Sequence, residues 1–179
     1  GIEAFISLVY LNCDNNSIDS LDVHTLTQLN TLYCENNQIG YLNVDGLTNL
    51  RYLLCSNNQL SSIDVSTCSS LFMFYCFSNQ ITSIDVTNNS LLARFGCGDN
   101  DLTIINMGTN NNLSWLFCEN NNLLKLNVSD KSKLSYVRCN NNQIDSLDFS
   151  CASKLTKIKC HDNALVYLNL RNGNNLNIN

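Results

Sequence analysis

One period governs this chain. Cys13, Cys34, Cys55, Cys76, Cys97, Cys118, Cys139 and Cys160 each stand 21 residues after the last. Leu8, Leu29, Leu50, Leu71, Leu92, Leu113, Leu134 and Leu155 keep the same step, and Leu176 opens a ninth unit. So do Asn16, Asn37, Asn58, Asn79, Asn100, Asn121, Asn142 and Asn163. No insertion or deletion breaks the count. Read from Leu8, the unit is L-x-x-L-x-C-x-x-N-x-I-x-x-L-D-V-x-x-x-x-x. Self-similarity at such a period belongs to chains in which each unit packs only against its neighbours. Repeat 1 begins at Leu8 and repeat 8 at Leu155; positions below are counted from that leucine.

Six positions per repeat (1, 4, 6, 11, 14 and 16) are apolar in all eight copies: 48 sites holding only Leu, Ile, Val, Phe, Met or Cys. Apolar residues at positions 4 and 6 between variable neighbours have the alternation of a strand. Positions 14 and 16, as in Leu21/Val23 and Leu147/Phe149, suggest a second, shorter extended segment. The five residues between Val23 and Leu29 leave little room for a helix. One repeat cannot bury its own apolar face, whereas stacked repeats bury it against each other. Strands stacked at about 4.8 Å give an arc roughly 40 Å long.

The unit resembles the leucine-rich repeat of the short 21-residue bacterial type, with Cys at the third Leu of L-x-x-L-x-L-x-x-N/C-x-L. Copies such as LVYLNCDNNSIDSLDV and LRYLLCSNNQLSSIDV carry the likeness through residues 8–175. It implies a right-handed solenoid with a parallel β-sheet on the concave face, short extended or turn segments on the convex face and little or no α-helix. It also implies an internalin-like protein that is secreted or held at a bacterial cell surface and works in adhesion or protein contact. Residues 1–179 then form a single domain: 1–7 end a preceding repeat, 8–175 are eight full repeats and 176–179 start a ninth. Neither end has the polar cap that solenoids require. The chain therefore reads as part of a longer protein, or as a unit that stacks end to end with another copy.

Recurrent polar residues have structural readings. An asparagine buried where each strand turns outward can satisfy backbone groups, and stacked copies form a ladder. Position 15, which alternates between Asp22, Asp64, Asp85, Asp148 and Asn43, Asn106, Asn127, Asn169, suits a local turn bond to the backbone. The eight repeat cysteines face inward. Strand spacing brings neighbours within disulfide range, but parallel ladder side chains oppose a bond, so they read as unpaired thiols packed as small hydrophobes. Cys68 and Cys151 lie outside the ladder, on the convex side.

Catalytic chemistry finds little foothold. Only His24 and His161 titrate near neutrality, and they sit in the first and last repeats. No Ser-His-Asp set, H-E-x-x-H or phosphate-cradling glycine loop is present, and no CxxC pair offers convergent zinc ligands. Asp99 and Asp101 match a fragment of a calcium loop whose remainder is missing, which leaves ion binding open. The expectation is a protein that is not an enzyme and has no metal or cofactor. A net charge of −5 speaks against nucleic acid. No run of about 18 apolar residues could cross a membrane as a helix.

What the repeat leaves free is positions 3, 5 and 7, which should project from the concave strands. Eight of the 15 aromatic residues fall on these 24 sites, where even placement would put about two. Tyr10, Tyr33, Tyr52, Tyr75, Phe77, Trp115, Phe117 and Tyr136, joined by Arg94 and Arg138, are therefore the expected binding face. Arg94, Gly96 and Gly98 interrupt the stripe. They suggest either a dip that seats a ligand or room made for large neighbours. Residues 1–90 carry one basic and eight acidic groups and residues 91–179 nine basic and seven acidic, a gradient able to orient a charged partner. The function expected is a binding module for a protein ligand. The alternative is a carbohydrate module that uses the same rings to stack a surface glycan.

Overall fold

The computed structural model describes residues 2–173; the start of the ninth repeat expected at 176–179 lies outside them. Eight three-residue strands stack into one parallel sheet: Tyr10–Asn12, Thr31–Tyr33, Tyr52–Leu54, Met73–Tyr75, Arg94–Gly96, Trp115–Phe117, Tyr136–Arg138 and Lys157–Lys159. Every strand pairs with the next in a 21-residue register, Tyr10 opposite Thr31 and Tyr136 opposite Lys157. Backbone bonding runs on past the strand ends: Cys13 N–H donates to Tyr33 C=O at 2.8 Å and Asn15 N–H to Glu35 C=O at 2.9 Å. Each repeat is thereby tied to its neighbour across six residues of backbone. The fold is the leucine-rich-repeat solenoid, and no α-helix occurs among the described residues.

The second extended segment forms in only six repeats. Ser20–Asp22 pairs with Tyr41–Asn43, Ser83–Asp85 with Ile104–Asn106 and Ser146–Asp148 with Tyr167–Asn169. Repeats 3 and 6 form no strand there, although Ile63 and Leu126 point toward the core as in the other copies. Position 15 makes the expected turns: Asp64 accepts the Ser66 N–H at 2.8 Å and Asp85 that of Thr87 at 2.8 Å. These bonds hold both carboxyls below the usual carboxylate range. Asn106 departs from the pattern and donates instead to Asp85 at 3.0 Å.

Leucine and cysteine columns fill the centre, and Leu29, Leu50, Leu71 and Leu92 are inaccessible to solvent. At position 4 the column widens where Phe74 and Phe95 stack at 5.6 Å with an 18° interplanar angle. A seventh inward column, which composition does not reveal, lies at position 19 on the convex turn. It holds Leu26, Leu47, Cys68, Asn89, Asn110, Lys131 and Ala152, all buried. Its polar members are bonded: Asn89 Nδ2 donates to Val65 C=O and Cys68 C=O at 2.9 Å, Asn110 Nδ2 to Asn89 C=O at 3.0 Å, and Lys131 Nζ to Gly108 C=O at 2.7 Å. Buried polar groups are tolerated when partnered in this way.

Two asparagine rows close each concave strand. Position 8 takes positive φ in every repeat, from Asn15 (58°) through Ser78 (51°) and Asp99 (56°) to Asp162 (52°). Asn and Asp enter this left-handed region more readily than other side chains. Position 9 then turns inward. Asn121 Nδ2 donates to Cys97, Cys118 and Glu119 carbonyls at 3.0–3.2 Å, and its Oδ1 accepts the Leu102 N–H at 2.9 Å. The same set recurs around Asn37, Asn58, Asn79, Asn100, Asn142 and Asn163.

Candidate functional site

The concave strands are too short to do more than fix direction. Their pleat sends positions 4 and 6 inward and positions 3 and 5 outward. The outward side chains of adjacent repeats stand one strand apart, so large rings must interlock. Tyr10 meets Tyr33 edge-on at 5.7 Å. A larger group forms in the middle, where Tyr75 lies 5.4 Å from Phe77, Phe77 6.5 Å from Phe117, Trp115 5.9 Å from Phe117 and Phe117 4.8 Å from Tyr136. Edge-to-face and tilted contacts of this kind hold rings in place. Tyr52 leans away from that group, 6.1 Å from Phe72 at position 2, whose ring also carries the Arg51 guanidinium at 5.7 Å. Phe72 and Arg51 thus extend the face by a column, position 2, outside the positions expected from the sequence.

One expectation about this face changes, and one open alternative narrows to room made for large neighbours. Phe117 does not project. It is 8% exposed and forms the floor on which Phe77, Trp115 and Tyr136 rest. The dip at repeat 5 is filled. A Cβ on Gly96 would lie 2.2 Å from the Phe77 ring and one on Gly98 3.2 Å from it, so the glycines make room for that ring. Gly96→Ala is therefore expected to destabilise the chain by about 1–2 kcal/mol through overpacking. In a Phe77→Ala background that cost should fall, leaving the 2.9 Å approach to the Tyr75 ring. Urea unfolding of the four chains of this cycle measures the coupling, and equal costs in both backgrounds would show that the ring is not what glycine accommodates.

Cations lie over three of these rings. The Arg94 guanidinium lies 4.3 Å from the Trp115 centroid, Arg138 5.5 Å from Phe117 and the Lys157 ammonium 4.5 Å from Tyr136. Arg138 is also paired with Glu119, a position-7 carboxylate that is 2% exposed although the alternation places it on the open side. Burial pushes the Glu119 carboxyl up despite Arg138. At one end of the face, Asp14 accepts the Glu35 N–H at 2.6 Å. At the other, Lys157, Lys159 and His161 are exposed, with His161 Nδ1 2.7 Å from Asp162.

Potential reactive groups are elsewhere engaged. All ten cysteines are free thiols. Cys13 and Cys34 donate weakly to Tyr33 and Leu54 carbonyls at 3.4 and 3.5 Å, and burial pushes Cys68 and Cys139 up to about 12. Cys68 lies in the buried position-19 column and Cys151 at the surface. Asp99 occupies the left-handed position 8, where it accepts from Asn120 Nδ2 at 2.7 Å. His24 pairs with Asp22 at 2.7 Å. Among the described residues no three His, Cys, Asp or Glu side chains converge as a metal site.

No family model matches the sequence, and no curated protein does. Solved structures do match. The functional domain of InlJ from Listeria monocytogenes, which includes a cysteine ladder, is 29% identical over 94% of this chain and 50% of its own, with a TM-score of 0.54. Internalin C2 of the same organism is 24% identical over 97% of this chain and 80% of its own, with a TM-score of 0.80. A leucine-rich-repeat protein of Leptospira interrogans is 19% identical over 93% and 46%, with a TM-score of 0.84. The chain spans about half the length of the InlJ and Leptospira structures. Its structural neighbours are thus internalins and other bacterial leucine-rich-repeat proteins.

Proposed function

We propose that this leucine-rich-repeat segment is a non-catalytic binding module that recognises a protein through its concave aromatic face. The supporting observation is the interlocked row from Tyr75 to Tyr136, flanked by Tyr10, Tyr33 and Tyr52, with Arg94 and Arg138 set among the rings. Aromatic and arginine side chains held rigidly lose little entropy on contact and dominate protein interfaces. The cation positions favour a protein over a glycan. A sugar stacks on an open ring face, whereas Trp115, Phe117 and Tyr136 each have a cation within 6 Å of the ring centroid. A protein surface can accept those cations through carboxylates and backbone carbonyls. The resemblance of the repeat to the internalin type, joined by the likeness to the InlJ domain, supports reading the protein as secreted or held at a bacterial surface, with a role in adhesion.

The test is a selection of phage-displayed peptides on the isolated chain, run beside a glycan array. Peptides should be recovered whose binding to the Tyr75→Ala/Trp115→Ala double variant is at least tenfold weaker, as for interface anchors. Both residues are half-buried, so the melting temperature of the variant is measured alongside to confirm that it stays folded. Glycan binding without peptide recovery would favour the carbohydrate reading. Peptides indifferent to the double variant would remove the concave face from the interface.

A further inference from the structure

Charge on the concave face is sorted by sign along the stack. Asp14 and Glu35 sit at position 7 of repeats 1 and 2, adjacent across the first pair of strands. Lys157 and Lys159 occupy the outward positions of the last strand, and both are exposed. Between them Arg138 is paired with Glu119, while Arg51 and Arg94 lie over the Phe72 and Trp115 rings and keep their charge. The remaining histidine of the basic end is paired with Asp162. The face is therefore negative at one end, aromatic with net positive charge in the middle and positive at the other. Seven inter-strand steps separate the ends, about 34 Å. That is several Debye lengths at physiological salt, so each end acts on whatever lies directly over it.

We propose that the occupant of this face is a protein segment carrying both charge signs, with its acidic part over Lys157 and Lys159 and its basic part over Asp14 and Glu35. The inference rests on the protein-binding reading of the concave face and adds orientation to it. A uniform polyanion, whether acidic polysaccharide or polyglutamate, would gain at the lysines and be repelled at Asp14 and Glu35. A polycation would meet the opposite conflict. Only a ligand whose sign changes along its length matches both ends, and mixed sign within some 30 Å is an ordinary property of protein surfaces. Complementary charge of this kind sets direction and association rate more than total affinity.

Four fluorescein-labelled synthetic peptides of equal length and tyrosine content test this: acidic-to-basic, all acidic, all basic, and neutral with serine in place of charge. Fluorescence anisotropy at low and high salt should show the two-signed peptide binding about tenfold tighter than either uniform peptide, with the advantage lost at high salt. Lys157→Glu with Lys159→Glu should cut its affinity about tenfold. Adding Asp14→Lys and Glu35→Lys should restore it with the direction reversed. A nitroxide on the acidic end reads the direction, broadening amide signals of repeats 7 and 8 in the original chain and of repeats 1 and 2 in the reversed one. An all-acidic peptide binding as tightly as the two-signed one would overturn the proposal, as would broadening at both ends alike. Equal binding of the neutral peptide would overturn the charge inference and leave the protein-binding reading standing. Failure of all four to bind would overturn both.

Discussion

Phe95→Ala should cost about 3–5 kcal/mol, the range for emptying a fully buried aromatic site. Phe95 is 0% exposed and stacks on Phe74 at the middle of the solenoid, so neighbouring leucines cannot close over the void without shifting the sheet. Phe95→Leu should cost under about 2 kcal/mol, because leucine is what repeats 1, 2, 3 and 6 carry at this position. The form of the transition should change as well. A solenoid is held by nearest-neighbour contacts. Weakening the interface between repeats 4 and 5 should turn one cooperative urea transition into two, each with a smaller denaturant slope. Circular dichroism and Trp115 fluorescence followed together would show it, since Trp115 lies in repeat 6. Coincident single transitions with an unchanged midpoint would refute the claim that this aromatic pair joins the two halves.

Asn121→Ala is the second large effect, expected at about 1–3 kcal/mol. It removes one acceptor and three donor contacts and strands the buried Leu102 N–H, whereas the Cys97, Cys118 and Glu119 carbonyls keep Asn100 Nδ2, Asn142 Nδ2 and the Asp99 N–H as donors. Each orphaned buried group costs about 1–3 kcal/mol, partly relieved where water enters. Asn121→Asp should be worse still at neutral pH, since a carboxylate would face three carbonyl oxygens. Asn16 holds the same position in repeat 1 but is exposed and donates to only Cys13 and Asp14 carbonyls. Asn16→Ala should therefore cost under about 1 kcal/mol. Denaturant midpoints for the two alanine variants decide the matter. Equal losses would mean that the ladder is not held by burial.

The strands, their register and the six apolar columns could be read from spacing alone, because one rule is repeated eight times and each copy corroborates the others. What could not be read is what the repeat leaves free. Position 19 holds Leu, Cys, Asn, Lys and Ala at successive levels, so it has no hydrophobic period, and only the backbone carbonyls around Asn89 and Lys131 make it inward. Glu119 sits on the open side of the pleat yet is buried and paired with Arg138, whose guanidinium also lies over the Phe117 ring. Gly96 shows the same limit. Spacing locates the glycine, but only the reach of Phe77 from the preceding repeat shows that the gap is filled. Position 9 shows its asparagine by spacing, but the left-handed backbone at position 8 is conformational and leaves no hydrophobic trace.

The unbroken 21-residue register gives the molecule the character of a ruler. Gaining or losing one repeat would move the acidic and basic ends relative to one another by about 4.8 Å and alter neither. Repeat 3, which carries no charge at positions 3, 5 and 7, is an interchangeable graduation of that ruler. Repeats 4 to 6 are not, because Asn89, Asn110 and Lys131 are buried against the backbone of specific neighbours. Lineages descended from such a chain can retune the span between two distant contacts in whole-repeat steps, and the change would be tolerated near the acidic end first.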